Sequence, residues 1–111
     1  MNTWLVGFNT EISGVEVATH VLIQAESLTI AEAAAMYMGC TWWPDLQKDD
    51  GGYRWQFPGG IVWFNSILLL DDVENTILHG LKFLDTWIVS GTPESPVVRD
   101  EFAGDWFDYT R

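Results

Sequence analysis

Val15-Glu16-Val17-Ala18-Thr19-His20-Val21-Leu22-Ile23-Gln24-Ala25 alternates with a period of two. Val15, Val17, Thr19, Val21, Ile23 and Ala25 fall on one side, and Glu16, Ala18, His20, Leu22 and Gln24 on the other. Successive side chains of a strand point to opposite faces, so the pattern predicts a half-buried antiparallel strand. Upstream, residues 3–8 are aromatic and β-branched and predict another strand, with residues 9–14 as the intervening loop.

Downstream, a helix starts at Ser27 or Thr29. Thr29-Ile30-Ala31-Glu32 has the form of a capping box, in which hydroxyl and carboxylate each take the other residue's backbone N–H. The alanine-rich run 31–38 favours a helix, and Gly39 suits its end. Residues 41–52 predict a loop holding Trp42-Trp43-Pro44 and the charged Asp45, Lys48, Asp49 and Asp50. Residues 53–57 predict a third strand, Pro58-Gly59-Gly60 a tight turn, and residues 61–70 a fourth strand bent at Asn65-Ser66. Strands three and four then form a hairpin.

Asp71-Asp72-Val73-Glu74 places three carboxylates where a helix N-terminus favours them. Val73, Ile77, Leu81, Leu84 and Ile88 keep helical spacing. Residues 86–90 fit either the last turns of that helix or a separate strand. Beyond Gly91, Thr92-Pro93-Glu94-Ser95-Pro96 is linker-like, and residues 100–109 interleave acids with aromatics. The expectation is an α+β fold in ββαββα order, with a four- or five-stranded antiparallel sheet and two helices on one face. A single domain covers residues 1–91. An acidic, aromatic C-terminal tail, docked or mobile, covers residues 92–111.

Composition narrows the function. Sixteen acidic residues against five basic ones give a net charge of −11 in 111 residues. Lys and Arg supply affinity for phosphate backbones and anionic lipid surfaces, so direct nucleic-acid binding and membrane binding are not expected. The apolar share of 48% is too high for a disordered chain. The longest apolar run, 61–70, is about half of the roughly 20 residues a bilayer span needs. No basic segment precedes an apolar run near Met1, and Cys40 is alone, so a reduced, cytoplasmic protein is expected.

Sites of chemistry are scarce. His20 and His79 lack Cys or His neighbours at zinc-ligand spacing. Asp45-Gln47-Asp49-Gly51 resembles a calcium loop only faintly and lacks its closing glutamate. No nucleophile elbow or phosphate loop occurs, and Cys40 has no activating neighbour in the sequence. Neither cofactor nor metal is expected, nor is catalysis.

Seven tryptophans remain to be explained. Two segments set bulky rings beside carboxylates. One spans Trp42, Trp43, Asp45, Asp49 and Asp50. The other spans Asp100, Glu101, Asp105, Trp106 and Asp108. Aromatic rings anchor interfaces, and carboxylates pair with basic groups. The expected function is therefore a non-enzymatic, acidic inhibitor that masks a basic, nucleic-acid-binding surface of a partner such as a nuclease. Immunity proteins and phage or mobile-element anti-defence proteins work in this way. Two alternatives are a small-ligand or enzymatic domain with Trp42, Trp43 and Trp55 lining a pocket, and an oligomeric accessory protein.

Overall fold

The computed structural model describes residues 1–100 and 104–106. Strands β1 (Asn2–Ile12) and β2 (Val15–Ala25) form a long hairpin, followed by helix α1 (Leu28–Cys40). Strands β3 (Lys48–Asp49), β4 (Arg54–Phe57) and β5 (Gly60–Leu69) come next, then helix α2 (Asp72–His79). Strands β6 (Thr86–Thr92) and β7 (Ser95–Asp100) complete the sheet. Its order is β3-β4-β5-β1-β2-β6-β7. All neighbours are antiparallel except β2 and β6, which run parallel over Leu22–Gln24 and Thr86–Ile88.

This corrects the expected four- or five-stranded antiparallel sheet in ββαββα order. The sheet is mixed, seven-stranded and curled into a half-barrel. Three strands account for the difference. β3 arises within the segment expected to be a loop, and β6 takes residues 86–90, which fitted either the end of the second helix or a strand, as a strand. β7 arises within the expected tail, where Thr92 and Ser95 flank the β6–β7 turn and the Thr92 hydroxyl accepts from Ser95 N at 3.2 Å. The two helices also do not share the work of covering a face. α1 meets β1, β2, β4, β5, β6 and β7, whereas α2 buries no residue.

The curl follows from that packing. One straight helix can touch six strands only if the sheet bends around it. Ala31, Ala34 and Ala35 are fully buried, and their small side chains bring α1 close to the sheet. Trp4, Val6 and Phe8 of β1, Val21 and Ile23 of β2, Trp55 and Phe57 of β4 and Val62 of β5 form the core around it. Burial of this apolar surface, at about 25 cal/mol per Å², is the main stabilising term.

Local chemistry explains the remaining departures. β1 continues past Phe8 because the hairpin closes in a two-residue turn. Ser13 and Gly14 both take positive φ, 52° and 81°, the turn conformation that matches strand twist. The bend in β5 is a bulge: Gly7 pairs with Ser66 and Phe8 with Phe64, leaving Asn65 extra. The cap of α1 is Ser27, whose Oγ accepts from Ile30 N at 3.4 Å, and not Thr29. The helix passes through Gly39 to Cys40, because the Trp55 ring lies against Gly39 and excludes a Cβ there. The Phe57–Gly60 hairpin forms as expected.

The second cap also forms as expected. Asp71 Oδ1 accepts from Glu74 N at 2.8 Å, and Glu74 Oε1 accepts from Asp71 N at 3.0 Å. α2 has no buried face, so this reciprocal pair contributes much of what holds it. Asp71→Ala is expected to cost about 1 kcal/mol and to fray α2 first. Hydrogen exchange of the amides of 72–79 checks this. Unchanged protection there would show that the box does not hold the helix.

Candidate interaction surface

The structure separates the two aromatic segments named from the sequence and then joins one ring from each. Thr41 caps the end of α1 and sends Trp42 back over the core, where it stacks on Phe8 at 5.0 Å between ring centroids. After β7, the chain doubles back: Asp100 N donates to Gly104 O, and Trp106 N donates to Val98 O. Trp106 thereby reaches Trp42 at 5.6 Å and Trp87 at 5.0 Å. Its Nε1 donates to Thr41 Oγ1 at 2.6 Å, and that hydroxyl donates in turn to Tyr37 O at 2.6 Å. Trp43 goes elsewhere. It packs edge-on against Phe57 and covers Gly60.

These rings close the rim of the core. Trp42, Trp43 and Trp106 are half-buried, and among the described residues no tryptophan is fully exposed. Trp55 is 1% exposed, so Trp42, Trp43 and Trp55 do not face one common cavity. A separate open groove of about 290 Å³ is lined by Glu11, Tyr53, Arg54, Trp63 and Phe64 and contains none of the three.

Several predicted carboxylates have local work. Asp49 Oδ1 accepts from Gly52 N at 2.7 Å and shapes the β3–β4 turn. Asp50 lies 3.4 Å from Lys48, and Asp105 lies 3.0 Å from Arg99. Both ion pairs are exposed and stabilise little. Asp100 Oδ1 accepts from Gly104 N at 2.7 Å. Asp45 is exposed at a positive φ of 61°. Glu101 and Asp108 lie outside the described residues. The acids are spread over the hairpin tip, both sheet edges, the connections and α2, and are not gathered on one element.

Among the described residues, five of the twelve exposed large apolar side chains fall elsewhere, in residues 68–83. Leu68 and Leu69 end β5 at 55% exposure each, and Val73 and Ile77 on α2 reach 68% and 61%. Phe83 follows at 79%. Asp71, Asp72, Glu74 and Asp85 are interspersed with them and exposed. Val73 and Ile77 keep the helical spacing expected from the sequence and share one face of α2. No element covers that face among the described residues. An exposed apolar helix face flanked by carboxylates is a feature that interaction sites share.

The described residues hold no cluster of three or more His, Cys, Asp or Glu able to bind a metal ion. His79 Nδ1 lies 3.4 Å from Thr86 Oγ1. No described helix is long and apolar enough to cross a membrane. Compared with protein-family models, with curated proteins and with solved structures, the chain matches none of them.

Proposed function

We propose that the protein is a non-enzymatic, acidic interaction protein that masks a basic surface of a partner protein, in the manner of an inhibitor. The observation that carries this is the segment 68–85, where Val73 and Ile77 share an uncovered face of α2 and Asp71, Asp72, Glu74 and Asp85 are exposed, on a chain of net charge −11. Apolar side chains supply contact area, and the carboxylates select a partner rich in Lys and Arg. Capping does not neutralise Asp71 or Glu74, so their charge still acts on an approaching cation. A nucleic-acid-binding surface, as on a nuclease or a host defence complex, has the matching chemistry. The single cysteine suits a reducing, cytoplasmic setting.

The test is titration of the chain against a basic nuclease domain across a salt series. Association is expected to weaken steeply as salt rises, because screening removes the steering field. The pair Asp72→Lys and Asp85→Lys is expected to weaken binding by about tenfold or more at low salt, through loss of charge complementarity. Val73→Ser with Ile77→Ser is expected to raise the dissociation rate while leaving the salt slope unchanged. Affinity indifferent both to salt and to these four positions would remove the basis of the proposal.

A further inference from the structure

We propose that the outer half of β2 is an open edge on which a second copy of the chain adds its own β2, antiparallel and centred on Ala18. This goes beyond the partner-masking role and involves a different surface.

β2 has eleven residues, but only Leu22–Gln24 pair with β6. Ile12 and Val15 flank a two-residue turn, so the odd-numbered residues of β2 bond to β1. The even-numbered residues point the other way, and Leu22 N does so, donating to Asp85 O at 2.9 Å. The N–H and C=O groups of Glu16, Ala18 and His20 therefore face away from β1. Among the described residues no backbone partner meets them. Val15, Glu16, Val17, Ala18 and His20 are exposed, so neither face of this segment is covered.

The two outermost strands of the sheet, β3 and β7, are guarded, as natural sheets require. β3 is two residues long and begins with Lys48. β7 contains Pro96, and its outer side is met by Trp106, whose N–H bonds Val98 O. The β2 edge has neither proline nor bulge.

Its sequence is self-complementary. A two-fold axis at Ala18 sets Glu16 opposite His20 of the second copy, and His20 opposite that copy's Glu16. Carboxylate then meets imidazole, and no like charges face each other. Ala18 meets Ala18 at the axis, where bulk would obstruct closure. On the opposite face Val17 meets Thr19, two β-branched residues suited to cross-strand contact. The three bonded pairs supply about six interchain hydrogen bonds. Two chains of −11 repel, so the association is expected to strengthen as salt rises, opposite to binding of a basic partner.

The experiment is sedimentation velocity of the full chain, from micromolar to millimolar concentration at low and high salt. A monomer–dimer equilibrium that shifts toward dimer with salt is expected. Ala18→Pro removes an N–H that β1 does not use, so the fold should survive, as circular dichroism and the thermal midpoint will report. The same variant should weaken the dimer by about tenfold or more. Glu16→Lys alone should weaken it, and Glu16→Lys with His20→Glu should restore it. A monomeric mass throughout, or a dimer indifferent to Ala18→Pro, would overturn the proposal. If the chain stays monomeric and Ala18→Pro instead abolishes binding to a basic nuclease domain, the edge belongs to a partner's strand and the second copy is ruled out. Because Val73→Ser and Ile77→Ser on α2 leave β2 intact, failure of the masking role and failure of this edge register separately.

Discussion

Trp55→Ala is expected to destabilise the protein by about 3–5 kcal/mol, the range for truncating a fully buried tryptophan. Single domains are stable by only roughly 5–15 kcal/mol, so this one change removes a large fraction. Trp55 is 1% exposed on β4, in the core that α1 covers, and its ring fills the space above Gly39. Trp55→Phe is expected to be milder. It keeps an aromatic ring, and it removes an indole N–H that is buried with no partner among the described residues. Urea unfolding followed by circular dichroism checks both. A loss below about 1 kcal/mol for Trp55→Ala would mean that α1 can settle into the cavity.

Gly39→Ala is the complementary experiment, adding volume where the first removes it. On helix propensity alone the change should stabilise α1 by about 1 kcal/mol. The packing reverses the sign, because a Cβ at Gly39 overlaps the Trp55 ring, which is held in the core and cannot swing into solvent. The expected net effect is destabilisation of about 1–3 kcal/mol. The two sites touch, so their effects should couple. In the Trp55→Ala background, Gly39→Ala should become neutral or stabilising. A stabilising Gly39→Ala in the otherwise unchanged chain would show that the ring gives way and that propensity wins.

Much of the local structure is legible in the sequence. The alternation of Val15–Ala25 marks β2, the alanine run marks α1, and Pro58-Gly59 marks the hairpin between β4 and β5. Asp71 and Glu74 form their capping box because both partners lie within one helical turn. Such features depend on residues a few positions apart, and a few positions are what periodicity and turn chemistry report.

The candidate surface was legible only in part. In the sequence, Asp71, Asp72 and Glu74 read as a helix start, and Val73 and Ile77 as a shared helix face. Helical spacing says that residues share a face, but not what that face meets. The ring pairs were similarly half-visible. Trp42 and Trp106 were both singled out, yet their contact spans 64 positions and exists only because the chain turns back after β7.

By itself, the sequence determined the charge, the strand β2 and both helix starts to within two residues. The tertiary structure alone decided the number of strands and their order. Ile88 sits in phase with a helical stripe, yet it belongs to β6, because Gln24 offers it a parallel partner 64 residues away. The same distant pairing leaves the outer half of β2 open and limits α2 to eight residues, none of them fully buried. The physical reason is that a strand of β6's length gains most of its free energy from a neighbour's backbone and side chains. That neighbour is chosen by the fold, and no local window of residues encodes it.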